Sequence, residues 1–136
     1  MATQFGDAVT NAALDAIEAA CGTAPTIEFR SGSKPATCAT ADSGTLLASG
    51  TLPSDWLAAA SGRSKVKAGT WTATGQTGAG TGTAIGHFRI KQGEVVHFQG
   101  SVTVTAGGGD MTVNNVSIAN GQTVTVDTFT LNGPAA

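Results

Sequence analysis

The sequence predicts an all-β domain: an antiparallel β-sandwich or jelly-roll-like barrel of about seven to eight strands, preceded by one N-terminal α-helix. Three observations point there. Between residues 83 and 131, apolar side chains alternate with polar ones and a turn signal follows each run. Short runs of the same kind recur upstream, without the spacing of strand–helix–strand units. Only residues 6–20 carry a helical period. The 136 residues fit a single domain, with 6–20 as the helix, 26–131 as the β region and 132–136 as a C-terminal tail.

The helix comes first. Val9, Ala12, Ala13, Ala16, Ile17 and Ala20 recur three and four positions apart, which sets them on one stripe. Asp7 suits the positive end of the helix dipole, Gly22 suits its C-terminal stop, and Pro25 blocks continuation. So small a face lies either over an edge of the home sheet or on another subunit.

Residues 26–31 read as a strand with Ile27 and Phe29 on one side. Residues 32–43 read as a loop and 45–52 as a second strand. Ser54 is an N-cap for a helical turn opening at Pro53, with Trp56 and Leu57 as its anchors. Residues 64–74 form a strand whose apolar members, Val66 and Trp71, differ in parity. Both face inward only if a bulge lies near Gly69. Residues 75–82 are a Gly/Thr tract, either mobile or ordered by a partner.

In the final stretch Phe88 and Ile90 face inward, with His87, Arg89 and Lys91 outward. A three-residue hairpin loop at Lys91-Gln92-Gly93, with Gly93 left-handed, sets Phe88 opposite Val96 and His87 opposite His97. Gly107-Gly108-Gly109-Asp110 reads as a hairpin loop and Asn120-Gly121 as another turn. A bulge at Asp127-Thr128 keeps Val124, Val126, Phe129 and Leu131 on the inner side.

Composition narrows function more than motif does. Charged residues make up 12% of the chain and the net charge is −2; an average soluble domain carries roughly 25%. Exposed positions fall to Thr, Ser, Gly, Ala, Asn and Gln, which suits a chain packed against neighbours. Arg63, Lys65 and Lys67 are too small a basic cluster, without stacking aromatics, for a nucleic-acid footprint. Met1-Ala2-Thr3-Gln4-Phe5 lacks the features of a secretory signal, and no run approaches the ~20 apolar residues of a membrane span. Cys21 and Cys38 make no metal or redox motif and read as either one bridge or two free thiols.

The chemical constellations each fail on a stated requirement. The two histidines have no third ligand beside them for zinc. One glycine-rich turn ending in Asp110 cannot supply the oxygens Ca²⁺ needs. The 78–82 glycines precede a strand and lack the Gly-Lys-Ser/Thr of a phosphate loop. No nucleophile elbow and no paired acids stand out. The expectation is a non-enzyme with no cofactor and no metal. Trp56 and Trp71 are core candidates, with a sugar-stacking platform as the alternative.

The order of short motifs adds a resemblance. It runs from Asn11-Ala12-Ala13-Leu14-Asp15-Ala16-Ile17 through Ser31-Gly32, Pro35-Ala36-Thr37-Cys38 and Gly44-Thr45-Leu46-Leu47. Leu52-Pro53-Ser54-Asp55-Trp56, Gly69-Thr70-Trp71 and Gly86-His87-Phe88-Arg89 continue it, followed by Gly109-Asp110-Met111 and Ile118-Ala119-Asn120-Gly121-Gln122-Thr123-Val124-Thr125-Val126. In these the chain resembles, over nearly its whole length, a family of small structural proteins of tailed bacteriophages and prophages. The resemblance implies a virion component and carries over no catalytic residue.

From this follows the expected role. It is a capsid decoration or cement protein on the head surface, made in the host cytoplasm. It would bind the major capsid protein or other virion subunits, and neither nucleic acid nor membrane. A homo-oligomer around a symmetry axis is expected. A tail, neck or fibre-associated protein is the alternative, and a glycan-binding β-sandwich module for host attachment the third reading. The candidate assembly contacts are Val9, Ala13, Ala16 and Ile17 on the helix, Gly78 and Gly80 in the loop, and Asn132 and Pro134 in the tail.

Overall fold

The computed structural model describes residues 3–133. Helix α1 (Asp7–Cys21) precedes eight strands: β1 (Thr26–Ser31), β2 (Leu46–Thr51), β3 (Ser64–Val66), β4 (Thr72–Gly75), β5 (Ile85–Gln92), β6 (Val95–Val104), β7 (Met111–Val113) and β8 (Thr123–Asn132). Seven of them close a barrel in the order β1, β5, β6, β7, β8, β4, β2 and back to β1. Every pairing is antiparallel except β6 with β7, so the sheet is mixed where the sequence led us to expect an antiparallel one.

The eighth strand, β3, lies on the same side of β8 as β4. Val66 stands opposite Thr130 and Thr72 opposite Thr125, so six steps on one strand meet five on the other. The expected bulge is therefore present, with Gly69 at φ +67° inside it. Its consequence for side chains differs from expectation. Trp71 is buried, but Val66 is exposed and Lys65 is the buried residue. Lys65 shares a register position with Leu131 and reaches two carboxylates of α1.

Residues 53–57 do not form the expected helical turn. Ala68 N–H donates to the Trp56 carbonyl and Ala58 N–H to the Val66 carbonyl, so a short ladder takes the backbone groups a helix would use. Trp56 and Leu57 are buried anchors all the same. The Trp56 and Trp71 rings lie 5.8 Å apart, Trp71 and Phe129 5.4 Å, and Phe129 and Phe88 5.6 Å. The few large side chains of the chain are thus stacked through the barrel interior, where each fully buried one contributes on the order of 1.5–3 kcal/mol.

The β5–β6 hairpin corrects the expected register. Gln92 pairs with Val95, leaving a two-residue loop in which Gly93 holds φ +61°, as a type II′ turn requires of its first residue. Ile90 faces Phe98 and Lys91 faces Val96, so His97 is an extra residue. Phe88 lies opposite Gly100 rather than Val96, and His87 opposite Ser101 rather than His97.

The 107–110 turn does not close a hairpin either, because β7 runs parallel to β6. A parallel neighbour ordinarily needs a crossover of about a dozen residues. Here residues 105–110 suffice, because Met111 returns only as far as Val102. The reversal uses Ala106 and Gly108 at φ +68° and +83°. Gly121 takes φ +82° in the turn before β8. In β8 Thr128 faces Thr112 and Val126 faces Val113, which leaves Asp127 as the extra residue of the expected bulge. Val124, Val126 and Phe129 are buried, and Leu131 packs at the margin of the core.

Candidate functional site

Helix α1 turns its predicted stripe outward. Thr10, Leu14 and Cys21 are its buried residues, while Val9 (58% exposed), Ala12, Ala13, Ala16 and Ala20 face outward and Ile17 sits half-buried at the margin. Polar chemistry decides which face turns in. Asn11 Oδ1 accepts the Arg63 N–H at 3.0 Å, Asp15 Oδ1 the Ala60 N–H at 2.9 Å, and Glu18 Oε1 the Leu57 N–H at 3.4 Å. These side chains satisfy backbone donors of the 57–63 segment that no strand covers. At the helix C-terminus Trp56 Nε1–H donates to the Gly22 carbonyl (3.0 Å) and Gln92 Nε2 to those of Cys21 and Thr23.

Lys65 completes this attachment. It is 1% exposed, with Nζ 2.6 Å from Asp15 Oδ1 and 2.9 Å from Glu18 Oε2. Burial by itself would depress the Lys65 ammonium, but the hydrogen bonds to Asp15 and Glu18 outweigh it and the pKa is raised. The Asp15 carboxyl is lowered in turn, first by the Lys65 hydrogen bond and then by the Ala60 N–H.

A second ionic group lies on the outer face of β1 and β5. Glu28 and Arg30 stand opposite Arg89 and His87, and residues 32–44 fold over them. His87, Arg89 and Lys91, expected on the solvent side, are all buried. Arg89 Nη1 meets Asp42 Oδ1 at 2.6 Å, and its Nη2 donates to the carbonyls of Thr37, Cys38 and Thr40. Lys91 Nζ lies 2.7 Å from Asp42 Oδ2 and 3.1 Å from Glu28 Oε1. Arg30 contacts both carboxylates as well. Burial acts to raise the Asp42 carboxyl, but hydrogen bonds from Lys91 and Arg89 and the charge of Arg30 hold it at about 2. His87 Nδ1 sits 2.9 Å from the Gly32 carbonyl, which makes it the protonated ring nitrogen. This cluster ties a loop to a sheet, and it borders a surface cavity of about 590 Å³ that Cys38, Asp42, Arg89, Lys91 and Glu94 help to line.

Five of the seven basic side chains (Arg30, Arg63, Lys65, Arg89 and Lys91) are held in ion pairs within the chain. The exterior thus presents few free cations, while most of the acids remain exposed. The pattern Glu28-x-Arg30 beside His87-x-Arg89-x-Lys91 was the available signal for the loop cluster: adjacent charges of both signs on one strand face.

The other candidate residues fall at two opposite ends of the barrel. Asn132 is the last residue of β8 rather than part of a tail, and it pairs with Ser64. A Cβ at the following Gly133 would collide with Thr10 Cγ2, so the strand leaves the barrel against the first turn of α1. The helix face and Asn132 therefore share one end. Gly78 and Gly80 lie at the other, beside the start of β2, and the structure does not bring the two sets together. Their loop is held at home: Gln76 N–H donates to Leu47 O, Gly80 N–H to Ile118 O, and Ala79 is buried. Gly78 packs where a Cβ would meet Thr45 Cγ2 at 2.5 Å. Pro134 lies outside the described residues.

Trp56 and Trp71 are 0% exposed, and each indole N–H donates to a backbone carbonyl. Neither offers a ring to a sugar. Cys21 and Cys38 are free thiols, and burial pushes Cys21 upward. Among the described residues no three His, Cys, Asp or Glu side chains group to hold a metal ion, and no helix is long and apolar enough to cross a membrane. No protein-family model, curated protein or solved structure matches the chain.

Proposed function

We propose that this chain is a non-enzymatic structural protein of a bacteriophage virion, a decoration or cement protein that braces the head by packing on major capsid subunits as a homo-oligomer. The observation that carries the reading is the outward face of α1. Val9, Ala12, Ala13, Ala16 and Ala20 form a low, uncharged surface, and the polar residues of the helix are spent on the barrel. Small side chains let another backbone approach closely, and a modest interface gains strength by repetition over a shell. The internal pairing of most basic side chains leaves few free cations on the exterior, whose remaining charge is mainly acidic. The motif resemblance to phage structural proteins points the same way.

The test is location and copy number on purified particles, by labelled antibody and stained gel. A decoration protein lies on the head in numbers comparable to the capsid subunit. A few copies at the tail or neck would replace this assignment with the tail reading, and absence from the particle would end both.

A further inference from the structure

The barrel is closed along only part of its seam. Strand β7 spans three residues between two strands of ten, meeting β6 at Val102–Val104 and β8 between Val126 and Phe129. Beyond Met111, towards the end that carries α1, the described residues place no strand between β6 and β8. A cleft of about 500 Å³ opens there, with Phe88, Phe98 and Phe129 on its apolar side and Gln99, Thr130 and Asn132 on its rims.

Backbone orientation can be worked out on both rims, because the N–H and C=O of a strand residue point to one side and alternate along the strand. On β6 the Ser101 N–H points away from β5 and donates to Asp110 Oδ2 at 2.9 Å. Gln99, two residues away, turns its N–H and C=O the same way, into the cleft. On β8 the Phe129 carbonyl accepts from Lys67 N–H, and the Gly133 N–H donates to Arg63 O, both on the β3 side. Thr130 and Asn132 therefore face the cleft. Among the described residues, two strand edges thus continue past the end of β7 with no strand between them. Asp110 ends β7 there, its carboxylate taking the Ser101 N–H and hydroxyl that a longer strand would take.

We propose that this open seam is a strand-accepting site, occupied by an extended, uncharged segment of a partner protein with apolar side chains at alternate positions. The unpaired edges call for a polypeptide backbone, and the three phenyl rings call for apolar side chains on one face of it. Asp110 is the one charged residue of the lining and is already engaged by Ser101, so nothing there selects a charged guest. About three guest residues, near 10 Å of strand, would be flanked on both sides. The inference stands on the barrel alone and is independent of the virion assignment.

Amide exchange and peptide titration by NMR test it on the whole chain. In the free protein the amides of Gln99, Thr130 and Asn132 exchange at least tenfold faster than those of Phe98 and Leu131, which point into paired ladders. Acetyl-Thr-Val-Thr-Val-Thr-amide binds saturably and slows the three rim amides at least tenfold. The same peptide N-methylated at alternate residues binds at least tenfold more weakly. Thr130→Pro removes a rim N–H that no ladder uses and weakens peptide binding while the fold persists. Rim amides already slow in the free protein, no peptide binding, or equal binding of the N-methylated peptide would each overturn the proposal.

Discussion

Phe88 and Gly100 stand opposite each other on β5 and β6, and the phenyl ring occupies the space a side chain at position 100 would need. A Cβ there would lie 2.8 Å from Phe88 Cε1 and 2.9 Å from Asp110 Oδ2. Gly100→Val therefore displaces the ring or the Asp110 cap. It should destabilise the domain by roughly 1–3 kcal/mol, the usual cost of overpacking, read as a lowered urea midpoint at constant slope.

The Asp42 carboxylate holds the 32–44 loop to the β1–β5 face. Its pKa falls from an ordinary ~3.9 to about 2. The sign follows: the stabilisation is present above ~pH 4 and is lost as pH falls towards 2. Partial solvent exposure reduces its size to roughly 1–2 kcal/mol. Asp42→Asn should remove that amount at pH 7, flatten the stability change between pH 4 and 2, and open the loop to limited proteolysis.

Lys65 anchors α1 through Asp15 and Glu18. Lys65→Met keeps the aliphatic stem but leaves both carboxylates without their cation, which should cost roughly 1–3 kcal/mol at neutral pH. Because the Lys65 pKa is raised, its contribution is complete below ~10.4, the unfolded value, and fades as pH rises through the folded one. Thermal melts of the two proteins should accordingly converge in strong alkali.

Ala13 and Ala16 are exposed on the outward face of α1. The double change Ala13→Glu, Ala16→Glu should leave stability within about 0.5 kcal/mol of the parent and abolish self-association or particle binding. Sedimentation and co-pelleting with particles measure the two. Unchanged assembly would move the contact surface away from α1.

Trp56 and Trp71 lie wholly inside. Acrylamide should barely quench native fluorescence and should quench it fully in denaturant. Ready quenching of the folded protein would restore an exposed aromatic platform as a possibility for glycan binding.

Much of the local structure was legible in the sequence. The helix, the first strand, the bulge at Asp127 and the burial of both tryptophans follow from period, parity and residue size, whereas the irregularity at Gly69 was expected from an inward Val66 that is in fact exposed. The loop between β5 and β6 lies at Gly93-Glu94 rather than at Lys91-Gln92-Gly93, and this together with the extra residue His97 moves the partner of His87 from His97 to Ser101. Alternation also failed to show that β5 is covered on both faces, since Arg89 and Lys91 look solvent-bound unless the loop carrying Asp42 is known to fold over them. Of the candidate contacts, the helix face and Asn132 come together at one end, while Gly78 and Gly80 are packed at the other.

What the sequence determined alone was the inventory of elements, because propensity, side-chain alternation and turn chemistry act between residues a few positions apart. Which face of α1 turns inward, the parallel β6–β7 pairing, the two ionic clusters and the open seam were decided only in three dimensions. The helix face and the ionic clusters depend on partners such as Asp15 and Lys65, or Asp42 and Arg89, that lie some fifty residues apart in the chain, while the β6–β7 pairing joins Val102 to Met111, nine positions on, in a way no local period shows. A local pattern carries no information about which distant group will satisfy a buried charge or an unpaired strand edge.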